Sequence, residues 1–193
     1  MALDEMSEAT DEALLVLYAN GDADAARSLT IRLTPRVMAH AYRLLSDRAE
    51  AEDVCQEALV RLFKIAPEWR QGEAQVTTWL YRVTANLCMD RLRKRGRLHP
   101  GGLDNAPDVA DEGPSVEGQM HTAARATALQ SALAALPERQ RQAVVLRHIE
   151  GRANPEIAHI MDIGVEAVES LTARGKRKLA SLLAGQREEL GLV

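Results

Sequence analysis

Phenylalanine occurs once in these 193 residues, tryptophan twice and tyrosine three times. A core with so few rings must be filled by aliphatic side chains. The dominance of Ala, Leu, Val, Arg and Glu favours helices packed through aliphatic stripes. Cys55 and Cys88 are the only cysteines and do not form a CxxC pair, which argues against a zinc site or a disulfide framework. Both are expected to be small buried residues of helices. No apolar run approaches the ~20 residues of a membrane span, and residues 1–11 lack the basic-then-apolar order of a signal peptide. A cytoplasmic chain with no membrane insertion is therefore expected. His40, His99, His121, His148 and His159 show no ligand-like spacing. No phosphate loop, metal set or nucleophile–base motif is present. The expectation is a protein with no metal, no cofactor and no catalytic residue.

Positive charge is missing where it would be spread in a free-standing DNA binder. The formal net charge is −4, whereas phosphate neutralisation supplies most of the affinity for duplex DNA. Residues 1–26 and 98–124 hold acids but no Lys or Arg. The basic residues gather in two short runs, Arg91–Arg97 and Arg174–Lys178. Such a chain can touch DNA locally yet bind it poorly alone.

The break HPGGLDNAPDVADEGPSVEGQ, residues 99–119, is rich in Gly, Pro and Asp and has no apolar period. It reads as a linker between two helical domains. The all-α reading is domain one at 10–97, linker at 98–122 and domain two at 123–187. In domain one, four or five helices are expected: over Asp11–Ala19, from Asp22 to Leu33, on to Leu45 with Pro35 starting or kinking the helix, and from Ser46-Asp47 to about Ile65. Asp47 and Glu50 have capping-box spacing. A loop over Ala66–Val76 precedes a last helix, Thr78–Arg95, with Thr77 as its cap. In domain two, a helix over Ala123–Ala135 precedes one that ends at Gly151. Asn154-Pro155-Glu156 reads as cap, first-turn proline and first-turn acid of a short helix to Met161. A turn at Asp162–Gly164 and a helix from Val165 to Leu183 complete a helix-turn-helix spacing.

Several of these segments resemble one family. AEAEDVCQEALVRLFK (49–64) is similar to region 2.2 of extracytoplasmic-function sigma factors, and TTWLYRVTANLCMDRLRKR (77–95) to their regions 2.3 and 2.4. LAALPERQRQAVVLRHIEG (133–151) and NPEIAHIMDIGVEAVESL (154–171) resemble region 4. The resemblance implies a dissociable RNA polymerase subunit that directs promoter-specific initiation in a stress or environmental response. It implies partners of three kinds: core polymerase through its β′ clamp helices and β flap, promoter DNA at the −10 and −35 elements, and an anti-sigma factor. A sigma mimic that titrates an anti-sigma factor, and a stand-alone helix-turn-helix regulator, are the alternatives.

Three groups of residues carry these expectations. Asp53, Gln56, Glu57 and Arg61 recur at spacings of three to four and can form one polar helix face. Such a face suits a basic coiled-coil partner; spacing alone favours a solvated face, the usual meaning of such charges, and it is the resemblance that assigns it to core polymerase. Trp79, Arg82, Asn86, Arg93 and Arg97 share a second face. An indole can stack on an unpaired base, Asn can bond base edges and arginines can hold phosphates. The resemblance adds Trp69, Arg70 and Gln71 in the preceding loop as receivers of a flipped −10 base. The alternative is that both tryptophans anchor the core. For the −35 element, Asn154, Pro155, Glu166, Glu169, Ser170, Ala173, Arg174 and Arg177 are the expected DNA-facing set. Glu169 and Leu171 depart from the family, many of whose members carry Lys or Arg there. Acid repels phosphate, although Glu can accept from cytosine N4.

Overall fold

A computed structural model describes residues 8–70, 72, 75–98 and 116–184, with side chains for all of these except 98 and 116–123. Gln71 and most of the 98–122 segment lie outside the described residues. Every described element is helical.

Helix α1, Asp11–Ala19, starts where Thr10 Oγ1 accepts from Ala13 N at 3.2 Å. Helix α2, Ala23–Leu45, is capped by Asp22, whose Oδ1 accepts from Asp24 N at 2.9 Å and Ala25 N at 3.1 Å. The sequence leaves open whether Pro35 starts a new helix or sits inside a kinked one; the structure has a single helix across it. Proline removes one helical hydrogen bond, that to the carbonyl of Ile31. Pro35 is exposed and Ile31 is 65% exposed, so water can take that carbonyl. The buried stripe Ala25, Leu29, Leu33, Val37, Ala41, Leu44 holds the helix together across the proline.

Helix α3, Arg48–Ile65, begins as expected, with Asp47 Oδ1 accepting from Glu50 N at 2.9 Å. The Glu50 carboxylate pairs with Arg95 at 3.0 Å. A 3-10 turn, Ala66–Glu68, leads away from it. Helix α4 runs Val76–Leu98, so Thr77 lies inside it and is not its cap. The Glu12 carboxylate, from α1, accepts from Val76 N at 2.9 Å and takes the capping place.

Helix α5, Val116–Ala134, starts seven residues before its expected position, within the segment read as linker. Helix α6, Glu138–Val144, passes into a π turn, Val145–Ile149. Glu150 N–H bonds Val145 O at 3.0 Å, and Arg152 N–H reaches Leu146 O at 2.9 Å around Gly151. Gly151 has φ +68°, a conformation that glycine adopts without Cβ strain. Helix α7 is Asn154–Met161 and helix α8 is Val165–Ala184. The cap of α7 is Ala153, with Asn154 already helical. Asn154 Nδ2 lies 3.4 Å from Glu169 Oε1 on α8. Asp162 turns the chain at φ 53° between the two helices. A Cβ on Gly175 would lie 2.6 Å from Val144 Cγ2 and 3.1 Å from Gln140 O; the crossing of α8 over α6 therefore depends on this glycine.

The two helical units share their cores. Leu133, Leu136, Val144 and Val145 of domain two lie in one apolar cluster with Leu33, Leu44, Leu62 and Leu80 of domain one. Tyr81 of α4, 4% exposed, lies in a second cluster with Leu146, Ile157, Ile160 and Val168 of domain two.

Candidate nucleic-acid interface

The α3 face is open. Asp53, Gln56 and Arg61 are exposed and Glu57 is half-buried, while Val54, Leu59 and Leu62 point into the core. Asp53 pairs with Arg91 at 3.4 Å and Glu57 with Arg61 at 2.6 Å. Surface pairs of this kind contribute about 0–1 kcal/mol, so a partner can replace them at little cost.

On α4, Asn86, Arg93 and Arg97 are exposed and Arg82 is half-buried. Trp79 is half-buried against the core, and its ring meets Trp69 edge to face at 6.2 Å between centroids. Both tryptophans therefore anchor structure while keeping part of their surface in water. The Trp69 indole N–H is buried with no hydrogen-bond partner. Arg70 is exposed at the end of the same turn. Within the basic run, Arg95 is drawn to Glu50 and Asp47, at 3.0 and 3.7 Å, and Arg93 to Asp90 at 2.8 Å. Lys94 and Arg97 are exposed. The run is thus partly a clamp between α4 and α3.

Glu166, Glu169, Ser170, Ala173, Arg174 and Arg177 are all exposed along α8, and Val168 and Gly175 face inward. Pro155 is exposed and Asn154 half-buried at the start of α7. The acids of α8 have local structural roles. Glu166 stands in the first turn, where the helix dipole favours a negative charge. Glu169 is within reach of the Asn154 amide.

The sequence reading missed a polar joint between the domains. Arg43 Nη1 donates to Glu150 Oε1 at 2.9 Å, and the Tyr81 hydroxyl donates to Glu150 Oε2 at 2.7 Å. His40, fully buried, lies 3.8 Å from the same carboxylate, and neither ring nitrogen has a hydrogen-bond partner. Its ring meets Tyr81 edge-on at 4.8 Å. The Arg152 guanidinium stands 4.8 Å over the Tyr81 ring and pairs with Glu156 at 2.8 Å; Glu156 also accepts from Thr78 Oγ1 at 2.9 Å. A second fastening lies at the C-terminus of α2. Gln130 Nε2 donates to Tyr42 O at 3.0 Å and to Ser46 Oγ at 2.9 Å, and Arg141 donates to Leu44 O, Ala134 O and Leu136 O. Arg141 thus satisfies the Leu44 carbonyl that the helix end leaves open, while Tyr42 O also accepts from Ser46 N. One signal could have revealed this: Arg141 stands one turn before Val144 and Val145, on an otherwise apolar face.

Burial shifts the titrations at the joint. It lowers the His40 pKa below the usual histidine value, with Arg43 and Arg152 adding to the effect and Glu150 opposing it. It pushes Tyr81 up to about 12, with Glu150 adding to the rise. Burial opposes ionisation of Glu150, but the neighbouring His40, Tyr81 and Arg43 outweigh it and hold that carboxyl below its ordinary value. Because the His40 value is depressed on burial, its contribution to stability is complete above the ordinary pKa of 6.5 and is lost as pH falls through the depressed value. Depression of Glu150 acts in the same direction at lower pH. The melting temperature should therefore fall between pH 7.5 and 5.5, and should fall less in His40→Leu; equal losses in the two proteins would refute the assignment to His40.

Burial also raises both thiols, Cys88 to about 12. Among the described residues, no three His, Cys, Asp or Glu side chains are grouped to hold a metal, and no helix is long and apolar enough to cross a membrane.

Comparison with known proteins agrees with this architecture. Residues 29–98 match the family Sigma-70 region 2, and residues 126–179 match Sigma-70, region 4. The ECF RNA polymerase sigma factor SigE of Mycolicibacterium smegmatis is 35% identical over 178 residues, covering 90% of this chain and 68% of that protein. SigM of Mycobacterium tuberculosis is also 35% identical, over 91% of this chain and 86% of its own. Among solved structures, the sigma factor RpoE in complex with the anti-sigma factor NepR from Bartonella quintana shares the fold. Its TM-score is 0.67 at 22% identity, and the match covers 82% of this chain and 96% of that one. CnrH in complex with the cytosolic domain of CnrY gives a TM-score of 0.66 at 24% identity, over 91% and 97% of the two chains. With regions 2 and 4 in order on two helical units, and relatives matched along most of its length, the chain belongs to the extracytoplasmic-function RNA polymerase sigma factors of the sigma-70 class.

Proposed function

We propose that this chain acts in the cytoplasm as a promoter-reading subunit of RNA polymerase and contributes no catalytic group of its own. The observation that carries this reading is the placement of two DNA-type faces on separate helical units. One is the line of Trp79, Arg82, Asn86, Arg93 and Arg97 on α4; the other is the exposed side of α8 from Glu166 to Arg177. The first combines a ring, an amide and cations, as capture of a single strand requires. The second is the outer helix of a helix-turn-helix, the element that enters a major groove. Domain one docks on the β′ clamp helices of core polymerase, domain two approaches the β flap, and an anti-sigma factor withholds both. Run-off transcription with core polymerase, from the promoter of the chain's own operon, tests the whole reading. The sigma-mimic alternative draws on Glu169 and Leu171 of α8, where acid and an apolar side chain weaken the DNA face, and it requires that no transcript form.

The α3 face supplies the docking residues Asp53, Gln56, Glu57 and Arg61. Charge reversal of Asp53 and Glu57 to Lys should weaken association with core polymerase roughly tenfold or more, as expected for charged pairs across an interface. Helix content should be unchanged, because both side chains point away from the core. A pull-down titration that gives the wild-type affinity would remove this face from the docking surface.

A further inference from the structure

The outward side of α8 carries charges of both signs, and they are sorted rather than mixed. At 3.6 residues per turn, Glu169 and Arg174 stand about 140° apart round the helix, so they occupy opposite flanks of its exposed face. Arg174 folds back along its own helix, with Nε donating to Ser170 O at 3.3 Å. Glu169 leans the other way, toward the start of α7, where Asn154 Nδ2 lies 3.4 Å from its Oε1. That amide is neutral, and Glu169 has no ion pair among the described residues. Its negative charge is left whole, in water, on the side of α8 that meets α7. Lys176 follows two turns later on the same flank, about 10 Å further along the axis. There the chain gathers cations instead. Burial lowers the pKa of His148, and Lys176 and Arg147 nearby lower it further. Arg147 is held at this end by a hydrogen bond from Nη1 to Arg152 O at 3.0 Å.

In a helix-turn-helix the outer helix lies in the major groove and the helix before it crosses the sugar-phosphate backbone. The flank of α8 that faces α7 therefore runs beside a row of phosphates. Glu169 is the charge that this row meets at the α7 end. An unpaired carboxylate repels phosphate within a Debye length, about 8 Å at physiological salt. The repulsion is blind to sequence, because phosphate contacts carry no base information.

We infer that Glu169 is a phosphate-repelling guard, which lowers the affinity of α8 for every duplex alike and so makes promoter binding depend on polymerase. The inference rests on the functional reading above and deepens it. Base contacts elsewhere on the face still choose among sequences, but the chain alone lacks the phosphate affinity that would hold it on DNA. Polymerase supplies the remainder. The net charge of −4 acts in the same sense over the whole molecule; Glu169 applies it at the surface that DNA touches.

Glu169→Gln and Glu169→Arg, made in the full chain, test this. Fluorescence anisotropy compares them with the wild type on two duplexes of equal length: the −35 region of the chain's own operon promoter and an unrelated sequence. The side chain is exposed and its contact with Asn154 is long, so helix content by circular dichroism should not change. At low salt the Gln variant should bind both duplexes about threefold more tightly and the Arg variant about tenfold or more, and the Arg variant should steepen the salt dependence by about one phosphate contact. The gain should be the same on the two duplexes. Equal affinities for the three proteins, or no binding by any of them, would overturn the guard. So would a loss by the Gln variant confined to the promoter duplex, because Glu169 would then be a base reader that accepts from cytosine N4. With core polymerase, the Arg variant should continue to give run-off transcript at salt concentrations that silence the wild type. Absence of transcript from the wild type at any salt would defeat the promoter-reading function, and the guard with it. Transcript from the wild type together with unchanged affinities of the variants would defeat the guard alone.

Discussion

Replacing Arg141 with alanine should lower the stability of the chain by about 2–4 kcal/mol, since hydrogen bonds from a charged donor contribute ~1.5–3 kcal/mol and its buried partners are left unsatisfied. At roughly 2–4 °C per kcal/mol for a chain of this size, the melting temperature should fall by about 5–15 °C. Arg141 is 6% exposed, so water gives little screening. Its guanidinium serves three carbonyls at once, of Leu44 at the end of α2 and of Ala134 and Leu136 at the end of α5. Burial lowers its pKa below the usual arginine value, and removing a desolvated charge returns part of the loss. Two effects keep the balance unfavourable. The aliphatic stem leaves a void beside Leu44 and Leu136, and helix-end carbonyls remain buried without donors. Urea unfolding followed by circular dichroism measures the difference; a loss under 0.5 kcal/mol would show that other donors take over the α2 terminus.

The largest functional effect is expected from Arg174→Glu combined with Arg177→Glu. Both side chains are exposed on α8, one turn apart, on the side away from Val168 and Gly175. The outer face of this helix already carries Glu166 and Glu169, so these arginines hold much of its positive charge. Loss of a phosphate contact reduces the salt slope of DNA binding by about one per contact, and reversal adds repulsion. Transcription from a −35-dependent promoter should fall by at least roughly tenfold, and the salt dependence of binding should flatten by about two contacts. Core-polymerase affinity through α3 should be unchanged. A variant that transcribes at the wild-type level, with the wild-type salt slope, would take α8 off the DNA.

Local chemistry was legible in the sequence and distant chemistry was not. Asp22, Asp47 and Gly151 mark their helix ends because a cap needs only its own neighbours. The α4 cap is supplied by Glu12, which stands 64 positions away from Val76; no spacing rule connects the two. Pro35 reads as a start or a kink, and a buried stripe continuing across it outweighs one lost hydrogen bond. Asn154 has the chemistry of a cap and is spent on Glu169, because the fold brings α8 alongside. The faces of α3 and α8 follow from periodicity, so their exposure was foreseeable. Tyr81 and Glu150 carry no local sign of their partnership. One lies in α4 and the other after a π turn, whose position depends on how α6 meets α2.

The sharing of cores between the two units bears on the fate of the protein in the cell. Leu133, Leu136, Val144, Val145 and Tyr81 are covered only while the two units stay together. A chain in which that seam is loosened bears an apolar flag that the folded chain hides, and chaperones and proteases act on surfaces of that kind. A substitution that weakens the seam should therefore shorten the lifetime of the protein without altering any residue of the α4 or α8 faces.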